Sequence, residues 1–212
     1  VVTQDVDAII EGMNVRHIGP GAMSGRVTTI DVQRDRPEVI YIGTASGGLW
    51  RSVTAGVEWE PLFDDESTQS IGALAIAPSN PDVIWVGTGE GNPRNSHSSG
   101  RGVYRSIDGG ATWEFMGLEG TRNIHRIIVH PTDHLTIWVG AIGTAWGDSS
   151  DRGIYKTTDG GKTWTHQLYI DERTGVADMI IDPSNPDKLI AALWSHRREP
   201  WFFTSGGEGS GL

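Results

Sequence analysis

The chain has 212 residues, a formal net charge of −10, no cysteine, 29 glycines and 10 prolines. The lack of cysteine excludes disulfides, cysteine nucleophiles and cysteine metal ligands, and the acidic charge disfavours nucleic acid and anionic membranes as partners. No apolar run approaches the roughly 18 residues of a membrane-spanning helix, so no membrane insertion is expected.

The chain begins with an acidic segment over residues 1–12, which lacks the basic start and long apolar middle of a signal peptide. The segment 13–20 is predicted to be a lone strand. Beyond it, short β-branched and aromatic runs alternate with Pro, Asn, Asp and Gly turns, a pattern typical of strands. No stretch keeps a helical period over several turns. The predicted four-stranded units, in chain order, are 25–63, 70–118, 123–169 and a partial unit 176–212.

The second and third units contain the same eight-residue signature, about fifty residues apart. Its copies are Ser106–Trp113 and Thr157–Trp164, and a degenerate copy lies at Ser52–Trp59. Four short antiparallel strands repeated at this period are typical of a propeller blade. The predicted fold is therefore all-β, a single β-propeller segment of about three and a half blades.

Each position of the signature has a structural explanation. The Gly-Gly pair permits positive φ in a hairpin turn, and the Asp and Ser or Thr side chains can bond to backbone within that turn. The Trp can wedge against a neighbouring blade. A structural role, and not a catalytic one, is predicted for Ser106, Asp108, Gly110, Trp113, Thr157, Asp159, Gly161 and Trp164.

Most tryptophans recur at repeat positions and are predicted to lie in the core. These are Trp50, Trp59, Trp85, Trp113, Trp138, Trp164 and Trp194. Trp146 and Trp201 fall outside the repeat, within inserted loops. Aromatic rings flanked by charged groups suit a sugar ligand, although each ring could instead fold back onto its own loop.

The repeat is interrupted on one face only, which we call the insertion face. Strand connections alternate between the two faces of a propeller, so the signature turns lie opposite the connections between second and third strands. Those connections are minimal in the first unit, over 44–47, and grow to 89–101, 141–152 and 195–210 in the next three. Insertions confined to one face predict a ligand site there.

The candidate catalytic residue is Glu90, which directly follows a buried-type strand in a Gly-rich turn. Glycosidases usually need a second carboxyl group, and the sequence does not identify one. The predicted ligand-binding residues on the insertion face are Arg94, His97, Arg101, Trp146, Asp148, Arg152, Arg197 and Trp201.

No metal site and no cofactor are predicted. His125, His130 and His134 are not on a helix and do not have the spacing of a zinc site. The loop from Asp148 to Asp151 fits a polar turn better than a Ca²⁺ loop. Gly87–Gly91 is not followed by a helix, which argues against a dinucleotide site.

The signature, Ser/Thr-x-Asp-x-Gly-x-Thr-Trp, resembles the Asp-box (bacterial neuraminidase repeat). Proteins with this repeat include sialidases, xyloglucan-active glycoside hydrolases, sortilin-type receptors and a photosystem assembly factor. Gly87–Asn92 and Ser205–Leu212 are also similar to segments of large bacterial glycosyl-hydrolase-like or sortilin-like proteins. The resemblance implies a secreted or periplasmic, carbohydrate-recognising propeller. A protein- or peptide-binding scaffold, or an assembly module without catalysis, is the alternative.

The same resemblance implies that this chain lacks a complete active site. In xyloglucan-active relatives a catalytic Asp follows the second strand of the first blade, and Ala45 occupies that position here. Two interpretations of the incomplete ring stay open. The chain is a piece of a longer propeller, or its open ends pair between molecules, because an unpaired strand edge is an association site.

Overall fold

The computed structural model describes residues 26–96, 98–182 and 184–212. These residues form an all-β propeller segment of four antiparallel sheets, three of four strands and one of three. The fold prediction is thereby confirmed. The lone strand predicted at 13–20 lies outside the described residues, as does His97.

Each sheet is one blade, and its strands follow chain order. Blade one contains β1 (Val27–Val32), β2 (Ile40–Thr44), β3 (Leu49–Ser52) and β4 (Glu60–Pro61). Blade two contains β5 (Ile71–Ile76), β6 (Ile84–Thr88), β7 (Val103–Ser106) and β8 (Glu114–Phe115). Blade three contains β9 (Ile124–Val129), β10 (Ile137–Ala141), β11 (Gly153–Thr157) and β12 (Thr165–Leu168). Blade four contains β13 (Thr174–Asp182), β14 (Asn185–Glu199) and β15 (Phe202–Ser205).

Blades pack through their first two strands, where a glycine of each second strand faces the next blade. A Cβ on Gly43 would lie 2.5 Å from Ile71, one on Gly87 2.4 Å from Ile124, and one on Gly140 2.7 Å from Val176. Ile71, Ile124 and Val176 are all fully buried. The apolar first strand of each blade therefore seats in the groove that glycine leaves in the preceding blade.

The two intact signature turns have the same hydrogen-bond pattern. Asp108 Oδ1 accepts from the Thr112 amide at 2.9 Å and from the Ser106 hydroxyl at 2.7 Å, and Asp108 Oδ2 accepts from the Thr112 hydroxyl at 2.6 Å. Asp159 repeats all three contacts in blade three. Each aspartate thus ties the start of its turn to the end, a local structural role.

The signature tryptophans connect neighbouring blades. Trp113 Nε1 donates to the Leu62 carbonyl of blade one at 2.7 Å, and Trp164 Nε1 donates to the Met116 carbonyl of blade two at 2.7 Å. The degenerate copy differs, because Trp59 Nε1 donates to Gly56 within its own turn. Trp59 is 38% exposed, so the prediction that it lies in the core is wrong.

The structure also corrects the loop predicted over 195–210. β14 continues to Glu199, and a hairpin returns along β15 with His196 opposite Ser205 and Glu199 opposite Phe202. The Arg198 guanidinium lies over the Phe203 ring at 4.6 Å, and Trp194 packs edge-on against the same ring. These aromatic contacts favour strand pairing over an open loop.

Among the described residues, no helix has the length and apolar composition needed to span a bilayer.

Candidate functional site

The inserted segments of blades two, three and four meet on the insertion face. Arg198, in the blade-four hairpin, donates from its side chain to Asn95 Oδ1 of the blade-two insertion at 2.5 Å. The backbone amide of Arg198 donates to the Ala145 carbonyl of the blade-three insertion at 2.7 Å. Segments more than fifty residues apart in sequence therefore form one continuous surface.

Asp148 holds a charged cluster together on this surface. It accepts from Arg173 Nε at 3.1 Å and from Arg197 Nη1 at 3.4 Å, and Arg197 also donates to Glu199 at 3.1 Å. The cluster joins the blade-three insertion, the link to blade four and the hairpin. Its members are partly exposed, so they are accessible to a polar ligand as well as to each other.

The two tryptophans outside the repeat expose their rings here. Trp146 is 39% exposed and lies between Ala145, which bonds to the hairpin, and Gly147, whose carbonyl accepts from Arg152. Trp201 is 84% exposed at the tip of the hairpin, beside the exposed Phe202. One partly exposed ring thus belongs to a residue two positions before Asp148 of the charged cluster, and one almost fully exposed ring lies at the tip of the hairpin.

Arg152 is fully buried beneath this surface. Its side chain donates to the carbonyls of Ile142 and Thr144, both at 2.5 Å, and of Gly147 at 3.2 Å. Its Nη1 also lies 3.4 Å from His196 Nδ1. Burial lowers the pKa of Arg152 to about 10. These contacts favour a role in shaping the blade-three insertion rather than in touching a ligand.

Glu90 is 1% exposed and paired with an arginine. Arg26 Nη2 lies 2.5 Å from one carboxylate oxygen and Arg26 Nε 3.3 Å from the other. The backbone of Glu90 is held as well, since its amide donates to Ser70 Oγ and its carbonyl accepts from Asn123 Nδ2. A buried carboxylate that accepts two hydrogen bonds from one arginine is typical of a structural ion pair.

The remaining predicted ligand-binding residues lie on the blade-two insertion. Arg94 is exposed. Arg101 is exposed and pairs with Glu119 at 3.2 Å. Arg101 also lines a polar cleft of about 590 Å³ formed by the blade-two insertion and the links on either side of blade two. The cleft is lined by Ser67, Thr68, Ser99, Gly100, Arg101, Glu119, Gly120 and Arg122.

Sequence reasoning missed several residues that build this face, chiefly Arg26, Asn123, Arg122 and Arg173. They lie in or beside the links between blades, where no repeat marks them. Asn123 is fully buried, and its Oδ1 has no partner among the described residues. Their position in the chain could have identified them, because the links between blades reach the insertion face just as the insertions do.

The signature residues, by contrast, all lie on the opposite face, where Gly109 and Gly160 donate to the turns between first and second strands. Hydrogen bonds from Thr112 lower the pKa of Asp108 to about 2, and those from Thr163 lower the pKa of Asp159. Among the residues that the structure describes, no three His, Asp or Glu side chains group closely enough to hold a metal ion.

No protein-family model matches the chain. Its sequence is similar to a xyloglucanase from a Paenibacillus species, with 29% identity over 195 residues. That match takes in 84% of this chain but only 18% of the enzyme, so the chain spans less than a fifth of this curated relative.

Two solved structures share the fold. An ancestral GH74 enzyme matches with a TM-score of 0.62 and 19% identity, over 89% of this chain and 26% of that one. YCF48 bound to D1 peptide matches with a TM-score of 0.53 and 14% identity, over 88% of this chain and 52% of that one.

Proposed function

We propose that this chain is a carbohydrate-recognising, glycoside-hydrolase-like propeller segment that binds its ligand on the insertion face. The observation that carries the proposal is the convergence of three insertions into one surface with Trp146 beside a charged cluster. The sequence similarity to a xyloglucanase supports a glycan ligand. We further propose that the protein acts outside the cytoplasm, where such polysaccharides occur.

The chemistry of the surface suits sugars. A sugar ring presents C–H groups that pack on an aromatic face, and its hydroxyls need donors and acceptors in fixed directions. Trp146 supplies the aromatic face. Asp148, Arg173 and Arg197 supply the acceptors and donors within the same surface. Their mutual bonds hold the polar groups in place before a ligand arrives, which lowers the entropy cost of binding.

We propose recognition without a complete hydrolytic site in this chain. Glycoside hydrolysis usually needs a carboxylic acid and a second carboxylate. On the insertion face Glu90 pairs with Arg26, Glu119 with Arg101, and Asp148 and Glu199 with Arg197. In each pair the arginine occupies carboxylate oxygens that a hydrolytic site would need to present to the substrate. The assignment of Glu90 as catalytic stays a prediction.

The test is binding of xyloglucan oligosaccharides to the chain, measured by calorimetry, with Trp146→Ala and Trp201→Ala variants. Removal of a stacking ring at the centre of a site weakens affinity by about tenfold or more, and this loss is expected for Trp146→Ala. The matched control is Trp59→Ala, which removes a tryptophan of similar exposure from the opposite face. Equal affinity for wild type, Trp146→Ala and Trp59→Ala would rule the proposed site out.

The second candidate function is a protein- or peptide-binding scaffold. The exposed Trp201 and Phe202 at the hairpin tip favour it, since adjoining exposed aromatics are typical of protein contact sites. A structural neighbour, YCF48, is bound to a peptide. A glycan array and a peptide array probed with the same protein discriminate the two. Peptide signals lost in Trp201→Ala, together with an empty glycan array, would favour the scaffold.

A further inference from the structure

We propose that the cleft beside the blade-two insertion is a separate binding site for an acidic sugar unit, with Arg122 as the group that binds its carboxylate. The cleft lies on the insertion face but is built from residues other than the Trp146 surface. The inference rests on the proposed function only for the general class of ligand, a carbohydrate.

The first observation is the backbone of Arg122. It has φ 57° and ψ −44°, a backbone conformation that residues other than glycine rarely adopt. Strain of this kind persists only where surrounding contacts impose it, and it clusters at functional sites. A glycine would relieve the strain, yet the chain has an arginine at this position.

The second observation is how firmly the backbone of Arg122 is held. Its carbonyl accepts from the Gly100 amide at 2.5 Å. The same carbonyl lies so close to Gly89 that a Cβ there would be 2.0 Å away. The blade-two insertion thus fixes the backbone of the link at Arg122, one of the residues that line the cleft.

The third observation is the charge balance of the lining. Arg101 and Arg122 are its cations and Glu119 is its anion, and Glu119 already pairs with Arg101 at 3.2 Å. Arg122 has no side-chain partner among residues 26–96, 98–182 and 184–212, so its guanidinium is available to pair with a ligand. An arginine fork matches a carboxylate in a bidentate geometry.

The other lining groups indicate what carries the carboxylate. Ser67, Thr68 and Ser99 contribute hydroxyls from two different segments, and none of the described residues that line the cleft is aromatic. Hydroxyls beside one arginine without a side-chain partner suit a ligand that has several hydroxyls and one carboxylate, as a hexuronate does. The volume of about 590 Å³ falls within the usual range of ligand sites and accommodates a short oligosaccharide.

The experiment is calorimetric titration of the chain with trigalacturonate, its fully methyl-esterified form and acetate. Trigalacturonate is expected to bind, the neutral ester at least about tenfold more weakly, and acetate not measurably. Arg122→Ala is expected to weaken trigalacturonate binding by about tenfold. Arg34→Ala, which removes an exposed arginine from the opposite face, is expected to leave it unchanged.

A second variant separates binding from folding. Arg122→Gly removes the same guanidinium but permits the positive φ, so it is expected to melt no lower than the wild type while losing trigalacturonate affinity. If wild type does not bind trigalacturonate, or Arg122→Gly binds it as well as wild type, the inference fails. Equal affinity for trigalacturonate and for its methyl ester would also overturn the inference. Tighter binding of a peptide carboxylate than of trigalacturonate would overturn it as well.

The outcome is independent of the Trp146 surface. Loss of trigalacturonate binding in Arg122→Ala with unchanged xyloglucan binding supports both sites. Xyloglucan binding without any trigalacturonate binding overturns only the proposal for the cleft. Trigalacturonate binding without xyloglucan binding overturns only the proposal that xyloglucan is the ligand of the Trp146 surface.

Discussion

Asp108 and Asp159 are the acidic residues that the chain repeats, and both act within their own turns. Their carboxylates accept from threonine and from Ser106 or Thr157, so their hydrogen-bonding capacity is used locally. Glu90 and Asp148 on the insertion face have a different kind of partner, since each pairs with an arginine of a distant segment. At the scale of single residues, position in the repeat separates the structural aspartates from the candidate site.

The lowered pKa of Asp108 predicts a pH-dependent stability. Because the folded-state pKa of about 2 is below the usual value, its contribution is full above about pH 4 and is lost as pH falls through about 2. Asp108→Ala is expected to reduce the free energy of unfolding by about 1 kcal/mol at pH 7, from the lost hydrogen bonds. Denaturant titrations at pH 7, 4 and 2 should show that difference shrinking only at the lowest pH.

The control for this prediction is Asp35→Ala, which removes an exposed aspartate from the same face outside a signature turn. It is expected to change stability little at any of the three pH values. A destabilisation by Asp108→Ala that is as large at pH 2 as at pH 7 would contradict the assigned cause.

At the scale of elements, the second strands decide how blades pack. Gly43, Gly87 and Gly140 occupy the same place in β2, β6 and β10, and each faces an apolar residue of the next first strand. Glycine within a strand weakens the strand itself. Here that cost is offset because the missing side chain lets the next sheet approach closely.

Gly87→Ala is therefore expected to destabilise the chain by about 1–3 kcal/mol, the usual cost of overpacking a core. The new Cβ would lie 2.4 Å from Ile124. Gly211→Ala is the control, because its Cβ would meet no atom within 4 Å. The measurement is urea unfolding of both variants.

A double variant sharpens this test. In Gly87→Ala/Ile124→Ala the clash is removed, so the two changes should cost less together than the sum of their separate costs. Strict additivity of the two variants would contradict direct contact between β6 and β9.

Blade four shows where element prediction from sequence fails. The residues from His196 to Glu199 and from Phe202 to Ser205 lie beyond the repeat's usual strand ends, so an open loop was expected. In the structure they pair as a hairpin, stabilised by stacking of Arg198 on Phe203. The hairpin then reaches back to Asn95 in blade two, and this contact assembles the insertion face.

At the scale of the whole molecule, both outer blades expose apolar strand residues. Val27 and Ile30 of β1 are exposed in blade one, and Ile180 and Ile190 are exposed in blade four. In blades two and three, a neighbouring blade covers the residues at the equivalent strand positions. Apolar surface of this kind favours association with another β-sheet.

We propose that this chain on its own self-associates in a concentration-dependent manner through the exposed faces of blades one and four. Light scattering after size exclusion, over a range of protein concentrations, should show mass rising above that of the 23.0 kDa monomer. Ile30→Asp/Ile180→Asp should shift the equilibrium to monomer, and Glu58→Ala on the signature face should not. A constant monomer mass across the range would refute pairing of the ends.

The sequence by itself determined the blade. Strand periodicity, the turn chemistry of the signature and its spacing are short-range properties, and they predict four-stranded units with Asp108 and Asp159 in structural turns. They also place the insertions on one face, because strand connections must alternate. Such features depend on steric and hydrogen-bonding preferences within a few residues.

Only the tertiary structure decided which side chains are available on that face. In the sequence, Arg152 and Glu90 cannot be told apart from exposed loop residues. In the structure both are buried and bonded to other residues. The pairing of Arg198 with Asn95 and the strained Arg122 beside Gly89 likewise depend on contacts between blades. Burial and ion pairing are set by long-range packing, which no local pattern encodes, so the candidate site emerged only once the blades were assembled.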